Sequence, residues 1–333
     1  MKALLLKAPG VLELTEMPRP ALRAGQVRVR LRRVGICGSD YKSIAGKLPF
    51  TRFPIVPGHE ASGEVLETCG DSPWRPGDRV LLHPILCDRS DPAFGRGAVH
   101  HAETTEVLGV VSRHGAYAEE VVVEDCMLRR TPPGVDDEAA AMVEPVAVAV
   151  RACRRGVLQA GERLLVFGAG NIGLLVIQVA RALGASLLVV TDLAPAKLEL
   201  ARRLGADEAL DVRAGFPAAR WEKQFDVVVD GVGDERSVAD ALVVCARGGR
   251  IVVYGVPAGD ITFALKTAFS KDVSLLTCRL YDADFEPAIR LVAGGRVRVK
   301  ELVTHRLRLE EAPPLMRALI EGREAAIKVM MEV

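Results

Sequence analysis

The feature that most constrains the fold of this chain is a glycine-rich turn that joins two apolar segments near its middle. The turn, Gly168 to Gly173, follows the apolar run Leu164 to Phe167 and precedes the apolar run Leu174 to Leu183. A buried strand, a G-x-G-x-x-G turn and a helix in this order are typical of a dinucleotide-binding βαβ unit, whose helix N-terminus binds phosphate groups. The residues expected at the phosphates are those of the turn and the start of the helix: Gly168, Gly170, Asn171, Ile172 and Gly173.

The expected partner of the nucleotide's ribose is Asp192. It stands nineteen residues after Gly173 and directly follows the strand-like run Leu187 to Thr191. A carboxylate at this place binds the ribose 2′-hydroxyl of NAD and repels the 2′-phosphate of NADP. Lys197 is close to Asp192 in sequence, and its positive charge could offset the repulsion of that phosphate. NAD is nevertheless the favoured cofactor.

Two later turns are expected to line the nicotinamide side of the same crevice. Val232 follows the strand-like run Val227 to Val229, while Gly255 and Val256 follow the run Arg250 to Tyr254. Because the carboxyl ends of parallel strands meet at the ligand crevice, these three residues are predicted cofactor contacts.

The pattern of segments divides the 333-residue chain into two domains. Residues 148–290 alternate apolar strands with helices, which predicts a doubly wound parallel sheet and an α/β fold class. Residues 1–147 form a β-rich region, with runs such as Val27 to Leu31 and Ala61 to Leu66 between Pro and Gly turns. Residues 291–333 resemble short strands around one helix and are expected to return to the first domain.

Charge and cysteine content exclude several classes of partner. A formal net charge of +1 gives no field to attract nucleic acid or an acidic membrane. The uncharged stretch Leu164 to Ala180 contains closely spaced glycines, so a strand, turn and helix explain it better than a membrane span. Seven irregularly spaced cysteines without a Cys-x-x-Cys pair argue against disulfides and favour a reduced, cytoplasmic protein.

A metal site is indicated by a cysteine and a histidine in glycine-flanked turns of the β-rich region. Cys37 and His59 lie 22 residues apart, and each follows a strand-like run. Glu144 interrupts the apolar stretch Ala139 to Val150, where a carboxylate is costly unless it has a partner such as a metal. A lone cysteine or histidine is more often a core or surface residue. Together, however, Cys37, His59 and either Glu60 or Glu144 meet the need of a catalytic zinc for about three ligands and one open position.

Such a site in a dinucleotide-binding chain predicts alcohol oxidation. Zinc would act as a Lewis acid on the substrate oxygen and lower the pKa of the alcohol, so that an alkoxide can form and expel hydride. Asp40 is a candidate for orienting a metal ligand. Ser39 is a candidate for hydrogen-bonding the substrate hydroxyl and passing its proton outward.

These motifs resemble the medium-chain dehydrogenase family and, within it, the sorbitol, galactitol and threonine dehydrogenase branch. The likeness covers nearly the whole chain and is carried by the segments Val34–Asp40, Gly58–Glu60, Gly77–Val80, Gly115–Glu119, Glu144–Pro145 and Gly168–Gly173. It implies a GroES-like catalytic domain, a Rossmann domain and one catalytic zinc per chain. The implied substrate is a secondary alcohol, such as a polyol, a sugar or a cyclitol.

The resemblance also implies roles for individual residues. Cys37, His59 and Glu60 would be zinc-site residues, and Glu144 would be a direct or water-mediated ligand. Arg279 would reach toward the substrate and the glutamate, although a surface arginine after a strand is an equally weighted interpretation.

The resemblance also implies an assembly, and the chain departs from the family pattern in two places. The family's dimers join their dinucleotide-binding sheets edge to edge, so the run Val273 to Thr277 is the expected contact of a homodimer or homotetramer. Many relatives carry four closely spaced cysteines for a structural zinc, whereas this chain has Cys87 with Asp88, His100 and His101 nearby; we predict that structural zinc is absent. Where some relatives have a proton-relaying histidine after the Ser39 position, this chain has Tyr41, Lys42 and Ser43, and the outer end of the relay stays open.

Two other functions compete with the zinc-dependent oxidation of a secondary alcohol by NAD. One is a zinc-free reductase of conjugated carbonyls on the same fold, against which Cys37, His59 and Glu144 argue together. The other is a non-catalytic dinucleotide-binding protein, which would bind NADH yet stay inactive on a wide panel of alcohols with zinc restored.

Overall fold

The computed structural model describes residues 1–281 and 283–333, and the chain divides into two compact units. The first unit contains residues 1–144 and 299–333, and the second contains residues 145–298. The boundaries expected from the sequence, after residues 147 and 290, lie near these divisions after residues 144 and 298. Of the predicted C-terminal segment, residues 299–333 are part of the first unit and residues 291–298 are part of the second.

Strands and helices are numbered in chain order. The strands are β1 (Lys2–Ala8), β2 (Val11–Glu16), β3 (Gln26–Ile36), β4 (Glu60–Thr68), β5 (Arg79–Leu82), β6 (Ile85–Leu86), β7 (Glu106–Val107), β8 (Glu120–Glu124), β9 (Leu128–Arg130), β10 (Arg163–Phe167), β11 (Leu187–Asp192), β12 (Glu208–Asp211), β13 (Phe225–Asp230), β14 (Cys245–Val253), β15 (Ser274–Thr277), β16 (Val303–Arg308) and β17 (Lys328–Glu332). The helices are α1 (Gly38–Ile44), α2 (Pro92–Gly95), α3 (Asp137–Ala141), α4 (Val143–Arg155), α5 (Asn171–Ala182), α6 (Pro195–Arg203), α7 (Glu235–Val244), α8 (Leu265–Lys271), α9 (Phe285–Ala293) and α10 (Ala312–Ile320).

The first unit is built on a sheet whose strand order, over the described residues, is β16–β17–β3–β4–β5–β9, with β8 also paired to β3. In β3 the buried Val27, Val29 and Leu31 alternate with arginines and so turn one face of the strand to the core. The C-terminal strand β17 runs antiparallel beside the end of β3, with Val329 opposite Ile36. The last strand of the chain therefore lies next to the segment that leads from β3 into α1.

The second unit is built on a parallel sheet with the strand order β12–β11–β10–β13–β14–β15 in the described part of the chain. Apart from Arg163, Asp226 and Asp230, the residues of β10 and β13 are apolar and buried, as is typical of a parallel sheet covered on both faces. The strand order reverses between β10 and β13, and their carboxyl ends flank the crevice where such sheets bind ligands. The predicted α/β fold class, with a β-rich domain and a doubly wound parallel sheet, is confirmed.

The segment Asp88 to Thr105, called the lobe below, contains α2 and a 3₁₀ turn at Val99–His101. Helix α2 forms because Asp91 caps it, accepting a hydrogen bond from the Ala93 N–H at 2.9 Å. A small cluster of buried apolar side chains lies beneath these turns: Cys87, Ala93 and Ala102, with Val99 packed against them.

The uncharged stretch Leu164 to Ala180 consists of β10, the glycine turn and most of α5. Across residues 1–281 and 283–333, we find no helix with the length and apolar character that a bilayer crossing requires.

Candidate functional site

The end of β3 and the start of β4 bring the predicted metal ligands together. The strands are antiparallel and Gly35 pairs with Glu60, so Cys37 and His59 lie just beyond this pair, on neighbouring strands. The ligand atoms of Cys37, His59 and Glu60 are within 4.8 Å of one another. His59 and Glu60 are buried and Cys37 is half-buried, which places a cysteine sulfur, an imidazole and a carboxyl group around one point.

Asp40 joins the two segments that carry these side chains. It lies in the first turn of α1, where its Oδ2 accepts a hydrogen bond from the Cys37 N–H at 2.8 Å. Its Oδ1 is 3.8 Å from Nδ1 of His59. Burial raises the pKa of Asp40, against the lowering effects of His59 and of the hydrogen bond from Tyr117. The predicted role of Asp40 in orienting a ligand therefore has a geometric basis on both the cysteine and the histidine side.

The charges around His59 suit a bound cation. Burial by itself lowers the pKa of His59, but the negative charges of Asp40 and Cys37 outweigh it and raise that pKa well above the ordinary value. Nδ1 of His59 is buried and has no hydrogen-bond partner among the described residues. Sulfur, nitrogen and oxygen donors of this kind are the ligands of a catalytic zinc, and the residues present fit that ion.

Glu144 contributes to the same site without joining the three-residue cluster. It lies in the first turn of α4, is buried, and its charge helps to raise the pKa of His59. The sequence left open whether Glu60 or Glu144 is the third metal ligand. Among the described residues, an oxygen of Glu60 lies within 4.8 Å of the ligand atoms of Cys37 and His59.

Lys328 was not predicted from the sequence. It begins β17, and its ammonium group contacts Oε2 of Glu60 and donates a hydrogen bond to the Ile36 carbonyl at 3.0 Å. The side chains of Lys328 and Glu60 are 1% and 2% exposed. Gly35 makes room for the pair, because a Cβ there would overlap the Glu60 carboxylate. A lysine inside the apolar run from Ile327 to Met331 is the sequence signal that points to such a buried pair.

Ser39 and Tyr41 lie in α1, close to the cluster in sequence. Ser39 is half-buried, two residues from Cys37. Tyr41 is also half-buried, and burial together with the charges of Asp40 and Glu60 raises the pKa of its hydroxyl. The proton path outward from Ser39 stays a prediction.

In the second unit, the glycine turn has the shape that a pyrophosphate needs. Gly168 has φ +95°, which favours glycine, and a Cβ at Gly173 would overlap the Gly168 carbonyl. A Cβ at Gly170 would meet no atom within 4 Å, so the backbone is open there. Asn171 and Ile172 form the first turn of α5, with Gly170 as its N-cap.

Asp192 ends β11 beside this turn. Its two carboxylate oxygens accept hydrogen bonds from the backbone N–H groups of Ala169 and Ala194, both at 2.9 Å. Nζ of Lys197 is 3.9 Å from the same carboxylate. The Asp192 carboxylate is thus fixed next to the glycine turn, and Lys197 lies close to it.

The two turns expected near the nicotinamide follow β13 and β14. Asp230, which is buried at the end of β13, accepts hydrogen bonds from the N–H groups of Val232 and Gly233 at 2.9 and 3.1 Å and from the Ser237 hydroxyl at 2.7 Å. Gly255 packs so closely on this turn that a Cβ would meet the Gly231 carbonyl at 2.7 Å.

The predicted contacts Val232 and Val256 are exposed at the ends of β13 and β14. Sequence reasoning did not identify Asp230 as the residue that organises the first of these turns.

Comparisons with known proteins agree with these features. Residues 23–133 match the family model described as the alcohol dehydrogenase GroES-like domain, and residues 171–294 match that of the zinc-binding dehydrogenases. The chain is 32% identical to sorbitol dehydrogenase of Homo sapiens over 99% of its own length and 95% of that protein. The chain belongs to the zinc-dependent medium-chain alcohol dehydrogenase family. The resemblance stated from the motifs is therefore confirmed, including its sorbitol dehydrogenase-like branch.

Two further relatives of this dehydrogenase family match over the full length. A putative D-xylulose reductase from Agrobacterium fabrum is 30% identical over 99% of both chains. The solved structure of the alcohol dehydrogenase TADH from Thermus sp. ATN1 superposes with a TM-score of 0.92 at 30% identity, covering 100% of both chains.

Two expectations from the family likeness remain predictions: the substrate contact of Arg279 and the lack of structural zinc near Cys87. Arg279 lies two residues after the end of β15 in the second unit and is exposed, and its expected contact with substrate is untested. In the lobe, Cys87 lies in the apolar cluster described above. Within the described residues, the metal-ligand group found is the one at Cys37, His59 and Glu60.

Proposed function

We propose that this dehydrogenase uses NAD and one catalytic zinc to oxidise a secondary alcohol of a polyol, sugar or cyclitol to a ketone, in a reversible reaction. The observation that carries the proposal is the convergence of Cys37, His59 and Glu60 within 4.8 Å in a buried site. Sorbitol dehydrogenase and D-xylulose reductase among the full-length relatives support the substrate class.

Cys37, His59 and Glu60 would hold the zinc in this proposal. Asp40 positions the segments that carry them, since its Oδ2 accepts the Cys37 N–H and its Oδ1 lies 3.8 Å from Nδ1 of His59. When bound, zinc would supply a Lewis acid that lowers the pKa of the substrate alcohol, and NAD would supply the hydride acceptor. Ser39 accepts the hydroxyl proton and passes it outward. Glu144 adds negative charge near His59, and Arg279 is assigned to substrate recognition.

NAD is preferred over NADP because Asp192 is fixed at the end of β11 by two backbone N–H groups. A carboxylate held there binds a ribose 2′-hydroxyl and repels a 2′-phosphate. The phosphates lie on Gly168 to Gly173, and the nicotinamide side is formed by Val232, Gly255 and Val256. The positive charge of Lys197 reduces the repulsion between Asp192 and a 2′-phosphate without removing it.

The test is a spectrophotometric screen of NAD reduction across polyols, sugar acids, cyclitols and amino alcohols, with and without a chelator. We expect turnover of at least one polyol or cyclitol, loss with the chelator and recovery with zinc. Full activity of metal-free protein on a conjugated carbonyl would instead establish the zinc-free reductase. NADH binding without turnover of any alcohol, with zinc restored, would establish a non-catalytic protein.

The assembly we propose is a homodimer, or a tetramer built from it, joined through the edge of the second unit's sheet. β15 is at one end of the strand order, and its Leu275 is 40% exposed. Leu265 and Phe269 of α8 are 72% and 86% exposed, which is unusual for large apolar side chains without a partner. Light scattering of wild type and Leu275→Lys, which places a charge on this edge, tests the contact.

Two further parts of the proposal concern the lobe and the cellular setting. The lobe folds without structural zinc, since Asp91 and the apolar cluster around Cys87 support its turns.

The seven free cysteines suit a reducing, cytoplasmic setting. The proposed partner is a small alcohol, and neither nucleic acid nor a membrane is a partner in this proposal.

A further inference from the structure

Tyr117 is completely buried at the point where the two segments bearing the metal ligands meet. Its backbone N–H donates a hydrogen bond to the Pro57 carbonyl at 2.9 Å. Its ring lies against Gly58, so closely that a Cβ at Gly58 would overlap it. The main chain and ring of Tyr117 therefore support the segment that ends in His59.

The hydroxyl of Tyr117 supports the other segment. It donates a hydrogen bond to Oδ2 of Asp40 at 2.6 Å. The same oxygen accepts the Cys37 N–H at 2.8 Å, and Oδ1 of Asp40 is 3.8 Å from Nδ1 of His59. A carboxylate that is 2% exposed needs such donors, because a buried charge without hydrogen bonds is costly. The hydroxyl thus fixes the rotation of a carboxylate that accepts the Cys37 N–H and also faces His59.

We infer that Tyr117 is a positioning residue of the metal site, and that its hydroxyl sets zinc affinity by holding Asp40 between Cys37 and His59. The inference rests on the proposed function, since it assumes that zinc binds at Cys37, His59 and Glu60. Tyr117 touches neither substrate nor metal in this role and acts through Asp40. Outer groups that orient metal ligands typically change metal affinity by about 10–100-fold when they are removed.

Phenylalanine is the informative replacement, because it keeps the ring that packs on Gly58 and removes the hydroxyl alone. Ser62→Ala is a matched control in the same unit. The Ser62 hydroxyl is also buried, and it donates to the Asp137 carbonyl at 2.6 Å, the same length as the bond from Tyr117 to Asp40. Both variants lose one short buried hydrogen bond, but only Tyr117→Phe removes a bond to Asp40.

The experiment measures the zinc dissociation constant of purified holoenzyme by competition with a chromophoric chelator, and the NADH dissociation constant by fluorescence. We expect Tyr117→Phe to weaken zinc binding about 10–100-fold and Ser62→Ala to leave it within about twofold, while NADH binding is unchanged in both. Equal zinc affinity in Tyr117→Phe and wild type, or an equal loss in both variants, would overturn the inference.

A second measurement tests whether Tyr117 acts through Asp40. Tyr117→Phe introduced into an Asp40→Asn background should add little further loss of zinc affinity, because residues acting in one network are not additive. Full additivity would contradict the inference. A wild-type protein that binds no stoichiometric zinc would instead remove the proposed function itself, so the two failures are distinguishable.

Discussion

Replacing Lys328 by methionine leaves the Glu60 carboxylate without its cationic partner inside the first unit. The two side chains are 1% and 2% exposed, so water cannot replace the lost ammonium group. The Ile36 carbonyl also loses the hydrogen bond that Lys328 donates at 3.0 Å. Removing one member of a buried ion pair typically costs about 3–5 kcal/mol of unfolding free energy, because the other charge stays buried and uncompensated.

Lys7→Met is a matched control for this substitution. Lys7 pairs with Glu13 at 2.6 Å in the same unit, but both side chains are about half exposed, at 49% and 50%. An exposed pair of this kind contributes about 0–1 kcal/mol. The structure therefore predicts a difference of several kcal/mol between two identical lysine-to-methionine changes.

The assay is denaturant unfolding of chelator-treated protein, so that metal binding does not contribute to stability. The chain has two tryptophans, Trp74 in the first unit and Trp221 in the second, and a Trp221→Phe background makes fluorescence report on the first unit alone. The double variant Glu60→Gln/Lys328→Met removes both charges and should recover most of the loss. A cost for Lys328→Met no larger than for Lys7→Met would refute the reasoning.

Four further predictions follow from the site and its surroundings. Cys37→Ser should abolish zinc binding and turnover while NADH still binds by fluorescence titration, whereas the exposed Cys126→Ser should do neither. Asp192→Asn should raise the NADP-to-NAD ratio of kcat/KM about tenfold or more, the effect of removing roughly 1.4 kcal/mol of repulsion; an unchanged ratio would show that the ribose contact is misassigned. Burial lowers the pKa of His83 to about 4. The folded state therefore disfavours protonated His83, and its contribution to stability is present above about pH 6.5 and lost as the pH falls toward 4. Wild type should lose about 2 kcal/mol more than His83→Gln between pH 8 and pH 5 in denaturant titrations. Finally, zinc analysis should give one ion per chain, and Cys87→Ala should not change that number; two ions per wild-type chain would contradict the zinc-free lobe.

The parts of the fold that could be predicted from the sequence are those specified by local patterns. The run from Leu164 through Gly173 defines a strand, a turn and a helix within a few residues, and the structure has β10 and α5 there. The alternation of valines and arginines in Val27 to Leu31 likewise predicts the face of β3 that is buried. Cys37 and His59 could be proposed as partners because glycine-flanked turns follow strand-like runs at both places.

The contacts that complete the site join residues far apart in the chain, and no local spacing encodes them. Lys328 is 268 positions from Glu60, and Tyr117 is 77 positions from Asp40. Each contact depends on strand register: β17 must lie beside β3, and Tyr117 must reach the turn before His59. The sequence does carry a weak signal for Lys328, a charge in an apolar strand, of the same kind that led to Glu144.

The pairing of Lys328 with Glu60 also bears on the coordination that this site can offer. Cys37, Asp40, Glu60 and Glu144 are all acidic groups, and the ammonium group of Lys328 contacts one of them, at Oε2 of Glu60. With that oxygen held by the ammonium group, Glu60 has one oxygen left for a metal. Three ligands that each gave one atom would leave the open position that a catalytic zinc needs for its substrate. Lys328→Met frees the second oxygen, and cobalt-substituted protein should then show the weaker visible absorption of a site with a higher coordination number. A cobalt spectrum unchanged from wild type would mean that Lys328 stabilises Glu60 without limiting how it binds the metal.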